Sequence, residues 1–173
     1  MKKKLKHVHS KQGAKKQFAP AKNSFQDFGK YYIFLAIIIL ISFFIYLPIF
    51  NNGFLAWDDN SYIKNNPLVI SFDVSKIFSS NVMGNYHPVT ILVLAIEYHL
   101  FGLNAVGFHA VNLSLHLLNV LLVFQTINLL SNKPEVALVA ALLFGVHPLH
   151  VESVAWAAEL KDLLYTFFFL LSY

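Results

Sequence analysis

The chain has 173 residues, of which 57% are hydrophobic and only 13% charged, with 17 Phe and no Cys. Charge normally falls on roughly a quarter of the residues of a soluble domain, so this balance excludes an ordinary water-soluble globule and makes lipid the main solvent. The formal net charge of +4 is local: nine of the 13 cationic residues, all Lys, lie in residues 1–30, whereas beyond them Lys64, Lys76, Lys133 and Lys161 stand against eight acids.

Residues 1–30 are polar and Lys-rich and read as a disordered tail. A basic tail can bind nucleic acid, but this one directly precedes an apolar run. The positive-inside rule makes it a cytoplasmic anchor segment, and no nucleic-acid partner is expected. "YYIFLAIIILISFFIYLPIF", residues 31–50, carries no charge and is long enough to cross a bilayer. It lacks the short core and small-residue cleavage site of a signal peptide, so it reads as an uncleaved anchor that carries the chain outward.

Residues 51–106 form the first outer loop. Within it "VTILVLAIEYHLFG", residues 89–102, is apolar but short, and Glu97 and His99 would each cost about 2.5–3.5 kcal/mol inside the membrane. An interfacial helix is expected there; a crossing would invert the sidedness of everything after it. Residues 107–130 make the second crossing and end in the turn "SNKPE". Residues 136–147 make the third, residues 147–161 a second outer loop, and residues 162–173 the start of a fourth. The last segment falls short of the roughly 20 residues a crossing needs. The chain therefore reads as the amino-terminal part of a longer membrane protein, inactive alone.

Three groups of polar residues could carry chemistry. In "GFLAWDDNSYIKNNP" the adjacent Asp58 and Asp59 fit an Asx-type turn. They also fit a carboxylate pair whose partial burial and mutual repulsion would raise one pKa and make a general base. In "HPLHVESVAWAAELKD" three readings stand: an interfacial helix with Trp156 at headgroup level, a phosphate contact through His147, His150 and Lys161, or metal ligation by His147, His150 and Glu152. The last lacks a recognised zinc spacing. In the second crossing His109, Asn112, His116 and Asn119 share one helical face, which suits either interhelical hydrogen bonds or a lined cavity. "NYHP" adds His87 on the outer side. Gly-rich phosphate loops and nucleophile elbows are absent from the sequence.

The order of "NGFLAWDDNSYIKNNP", "NYHPVT", "LFGLNAVGFHAVNLSLHLLN" and "LFGVHPLHVESVAWAAELKDLL" resembles one family from residue 31 to residue 173. These are bacterial membrane proteins with a tetratricopeptide-repeat tail, related to the transmembrane and tetratricopeptide-repeat O-mannosyltransferases. The resemblance implies an all-α polytopic fold of the GT-C glycosyltransferase type in the bacterial cytoplasmic (inner) membrane. It also implies a polyprenyl-phosphate-linked sugar as donor, a protein or glycan hydroxyl as acceptor, and repeats after residue 173 that engage protein partners. An acid of the first outer loop, Asp58 or Asp59, would serve as base. His147, His150, Glu152 and Lys161 would hold the donor phosphate, and His87, His109, Asn112 and His116 would line the cavity. No cofactor is firmly implied, although some members of the broader fold use a divalent metal. Two departures stand out: Leu160 and Tyr86 occupy positions where Arg and Trp are usual, and an Arg fork is the better phosphate ligand. The rival readings are a non-catalytic scaffold anchored in the membrane and a transporter whose path follows the polar stripe.

Overall fold

The computed structural model describes residues 24–173, with side chains from residue 29 onward. The expected cytoplasmic tail lies outside the described residues apart from 24–30. Those residues are helical rather than disordered, because a helix nucleated in the apolar run extends upstream at little cost.

The chain is all-α, its one β-pairing among the described residues being an isolated bridge between Val82 and Asn85. Helix α1 (Ser24–Tyr46) tightens into a 3-10 turn over Leu47–Asn51, where Pro48 can no longer supply an N–H to the ladder. A wide turn at Asn60–Lys64 leads to α2 (Pro67–Ser71), α3 (Val74–Ile77) and α4 (Pro88–Phe101). Then come α5 (Ala105–Ser131), α6 (Pro134–Val146), α7 (His150–Ala155), a 3-10 turn (Ala157–Glu159) and α8 (Leu160–Leu171).

Local chemistry sets these limits. Proline opens α2, α4 and α6, where its missing N–H costs nothing. Asn66, Asp73 and Asn104 cap α2, α3 and α5 by accepting the N–H groups of Leu68, Lys76 and Val106. Gly102, at φ +62, turns the chain out of α4.

Among the described residues two stretches are long and apolar enough to cross a membrane, Gly29–Asn51 and Ala105–Ser131, and the protein is an integral membrane protein. Helix α6 has 13 residues, about 20 Å at 1.5 Å per residue, against a hydrocarbon core of about 30 Å. It reaches crossing length only together with Pro148–Ala155, from which it is bent by 49°. The segment expected to make the third crossing, 136–147, is too short to cross alone and is broken from α7 where Pro148 pushes His147 out of helical geometry. With 14 residues, α4 is too short to cross.

Helices α1, α5 and α6 pack around Leu35, Ile38, Val120, Phe124, Ala137 and Ala141, while Ile33 and Phe44 on α1 remain exposed as lipid-facing residues would. A second core joins the first loop to the second: Tyr62, Ile63, Leu94 and Phe108 close over Ala157, Ala158 and Leu160. The Tyr31 hydroxyl donates to Glu135 and ties the start of α1 to that of α6.

The α1–α6 crossing depends on small residues. A Cβ on Gly145 would lie 2.4 Å from Ser42 Oγ and 3.3 Å from Val120 Cγ2, and Ser42 is itself bonded to Ile38 O at 3.0 Å. Gly145→Val is expected to lower stability in detergent by about 1–3 kcal/mol through overpacking. Thermal unfolding should show that loss, with Ser42→Gly restoring part of it.

Candidate functional site

The acidic couplet divides into two different groups. Asp59 is 1% exposed, and both of its carboxylate oxygens are engaged. Oδ2 accepts the Leu55 N–H at 2.7 Å, and Oδ1 accepts the Ala158 N–H at 2.8 Å, 99 residues away in sequence. The Trp156 indole lies against the same carboxylate without reaching hydrogen-bond geometry. Burial raises the Asp59 pKa above the usual carboxylate range, and the backbone donors of Leu55 and Ala158 oppose that rise. Asp58 is partly exposed, and its carboxylate has no hydrogen bond among the described residues.

Asp59 thus fastens residues 51–59 to the second loop. The Ala157–Ala158 pair permits it, because small side chains let the backbone N–H reach a carboxylate directly. The Trp57 and Trp156 rings add a contact at 5.9 Å, with Trp57 75% exposed.

Of the four residues expected at the donor phosphate, His147 and His150 lie together, their rings 6.1 Å apart, whereas Glu152 and Lys161 line different grooves. His147 is exposed, and its Nδ1 accepts the Leu149 N–H at 3.2 Å. His150 is half-buried, its ring 4.4 Å from that of Phe144 and 5.8 Å from that of His116. Glu152 lines a cleft of about 530 Å³ between residues 51–55 and α7, together with Trp156. Lys161 faces a different groove, of about 650 Å³, between the start of α4 and α8. There His87 and Asp162 join it at the polar end, while Phe168 and Phe169 line the apolar wall. Lys161 is paired with Glu159 at 2.6 Å. Burial works against its charge, but that carboxylate more than offsets this and the net pKa is raised. Leu160, where Arg would be usual, is completely buried in the inter-loop core, so its side chain serves packing. Among the described residues, three or more His or acidic groups nowhere converge as a metal site would require.

The polar stripe on α5 is wholly buried. Asn112 Nδ2 donates to Trp156 O at 3.0 Å, His116 Nε2 meets Gly145 O at 3.1 Å, and Asn119 Nδ2 donates to Leu163 O at 3.0 Å. The Trp156 and Gly145 carbonyls lie at breaks in the helices around α5, whereas that of Leu163 lies inside α8, and neither ring nitrogen of His109 has a hydrogen-bond partner among the described residues. The stripe staples those interruptions, and neither groove described above is lined by His109, Asn112 or His116; of the four residues expected to line a cavity, His87 does.

Sequence reasoning missed the backbone of Ala158, which carries no side-chain signal at all. It read Glu97 only as an obstacle to insertion. Glu97 is 2% exposed, and neither of its oxygens has a partner among the described residues.

No protein-family model matches the chain, and no solved structure does. Named relatives do match. The chain is 34% identical over 147 residues to the protein O-mannosyl-transferase TMTC4 of Mus musculus, covering 70% of this chain and 20% of that protein. The chain is related to the protein O-mannosyl-transferases. A Caenorhabditis elegans member is 32% identical over 148 residues, covering 78% of this chain and 21% of that protein, and Tmtc1 of Drosophila melanogaster is 30% identical over 143 residues. The matched chain spans about a fifth of the length of these curated O-mannosyl-transferases.

Proposed function

We propose that the complete protein is a GT-C-type membrane glycosyltransferase of the bacterial cytoplasmic membrane, with its amino terminus in the cytoplasm. It moves a sugar from a polyprenyl phosphate to a hydroxyl acceptor on the outer face, and mannose is the sugar its relatives' names suggest. The observation that carries this reading is the 2.8 Å bond from the Ala158 N–H to Asp59 Oδ1. It brings the acid-bearing loop and the loop expected to hold the donor onto one surface.

In this reading the two carboxylates divide the work. Asp59 holds the loops together, and Asp58, whose oxygens are unengaged among the described residues, is the base. The acceptor O–H proton passes to Asp58 as the oxygen attacks the anomeric carbon. The sugar–phosphate bond breaks and its electron pair leaves on the phosphate. Lys161 and His87 stand at the polar end of the α4–α8 groove, where charge building on that phosphate would be stabilised. The apolar wall with Phe168 and Phe169 suits the polyprenyl chain.

Sidedness is directly testable, since the chain contains no Cys. Trp57 and Leu149, 75% and 79% exposed, represent the two loops. Trp57→Cys and Leu149→Cys are each expected to react with a membrane-impermeant maleimide applied outside intact cells. Labelling of one from outside and the other only from the cytosol would end the proposal. Transfer from polyprenyl-phosphate mannose to a Ser/Thr peptide by the reconstituted complete protein is the accompanying assay.

A further inference from the structure

We infer that the first turn of α4 is the anion seat of the α4–α8 groove, with the Thr90 hydroxyl and the N–H groups of Val89 and Thr90 as its donors. The inference rests on the transfer reading above and names the groups that grip the phosphate of the donor.

Four consecutive residues at the start of α4, His87, Pro88, Val89 and Thr90, line the groove. A helix leaves the N–H groups of its first turn without intrahelical acceptors. Pro88 has no N–H, and His87, in the capping position, makes no side-chain bond to the helix. The N–H groups of Val89 and Thr90 therefore have no acceptor among the described residues; the first that is paired belongs to Ile91, which donates to His87 O at 3.0 Å. Bare N–H groups at the positive end of a 14-residue helix suit an oxyanion.

The Thr90 side chain points to a ligand independently. Thr90 is 6% exposed, yet its hydroxyl has no hydrogen bond among the described residues. It does not turn back onto the backbone, as a helical Thr commonly does. Nor is the oxygen sealed within the core: the surface that Thr90 keeps open lines the groove. A hydroxyl in a nearly buried residue, unpaired and open to a groove, is completed by a ligand oxygen.

The formal charges around the groove do not favour an anion by themselves. Lys161 is bound to Glu159 at 2.6 Å, and the Asp162 carboxylate lines the same groove. Leu160, where Arg would be usual, is buried in the inter-loop core. Uncharged donors must then supply most of the grip, and the first turn of α4 brings three of them to the groove. The His87 imidazole adds a further N–H in either tautomer, and it too has no hydrogen bond among the described residues. A phosphate group has acceptor oxygens enough to meet them all, and bonds from such donors to an oxyanion are of the stronger kind.

The test measures binding to the complete protein in phosphatidylcholine nanodiscs and needs no turnover. Radiolabelled farnesyl phosphate is the probe, farnesol the control without charge and inorganic phosphate the control without a tail. Thr90→Ser keeps the hydroxyl and is expected to bind farnesyl phosphate within about twofold of wild type, whereas Thr90→Val and Thr90→Ala should bind it about tenfold more weakly, the usual worth of a hydrogen bond to a charged group. Farnesol should bind every variant as it binds wild type. Undiminished farnesyl phosphate binding by the Val and Ala variants, or an equal loss of farnesol binding, would overturn the inference. Millimolar inorganic phosphate is expected to leave farnesyl phosphate in place. If it displaces the lipid and binds as tightly itself, the seat takes free phosphate and its assignment to a lipid-linked donor falls. If wild type binds through Thr90 and transfers no sugar, the transfer reading fails and the seat stands. If transfer proceeds and the Val and Ala variants bind as wild type does, the seat fails and the transfer reading stands.

Discussion

Asp58→Asn is expected to lower sugar transfer by roughly two to four orders of magnitude, the usual worth of a positioned general base. The thermal midpoint of the protein should stay where it is. The reason is local: the Asp58 carboxylate has no hydrogen bond among the described residues, so the amide removes a proton acceptor and disturbs nothing else. Asp59→Ala should behave in the opposite way. It strands the N–H groups of Leu55 and Ala158, and a buried donor without a partner costs about 1–3 kcal/mol. At about 2–4 °C per kcal/mol for a chain of this size, the midpoint should fall by roughly 5–20 °C. Activity is then lost because the loops separate. Measuring transfer and thermal unfolding for both single variants distinguishes the roles. If Asp58→Asn destabilises and Asp59→Ala does not, the assignment is reversed; if both retain transfer, neither acid is the base. In the proposed reading the adjacent pair divides into one fastener and one base, and the double Asn variant would confound them.

Much of the framework was legible in the sequence, for a reason that can be stated residue by residue. A charge-free run such as residues 31–50 has only one stable environment, and composition alone reveals it. Pro67, Pro88 and Pro134 mark helix starts because the ring removes an N–H that is unneeded there. The α5 stripe also announced itself, since four polar groups on one face must find partners away from lipid. What periodicity could not supply was the identity of those partners. For Asn112, His116 and Asn119 they are carbonyls at Trp156, Gly145 and Leu163, and every residue type has a carbonyl; the His109 ring has no hydrogen-bond partner among the described residues.

The same limit explains the site. His147, His150, Glu152 and Lys161 lie within 15 positions of one another, which suggested a single phosphate pocket. The break at His147–Pro148 and the second break at Trp156 turn successive pieces in different directions, so Glu152 reaches one groove and Lys161 another. Helix bends in this region decide the geometry, and they depend on packing across residues far apart in sequence. The resemblance to O-mannosyltransferases pointed to these two loops, which the Asp59 hydrogen bonds join. The different surroundings of Asp58 and Asp59 came only from the hydrogen bonds.

The second large effect concerns pH and Glu97. Its carboxyl is buried in α4 with neither oxygen partnered among the described residues, and burial pushes its pKa up to about 8. The folded state therefore keeps this proton up to about pH 8, while an unfolded chain releases it near 4.3. Between those values the native state binds more protons, so stability falls as pH rises, by about 1.4 kcal/mol per unit from this group alone. Over pH 5 to 8 the loss is of the order of 3–4 kcal/mol, and below pH 4 the penalty vanishes. Glu97→Gln keeps the shape and cannot ionise. It should leave stability at pH 5 nearly unchanged and raise it by that amount at pH 8, flattening the profile. Thermal unfolding of wild type and variant across this range, in one detergent at fixed ionic strength, provides the comparison. Parallel profiles would mean that Glu97 is already ionised in the folded protein and that a cationic or hydrogen-bonding group meets it.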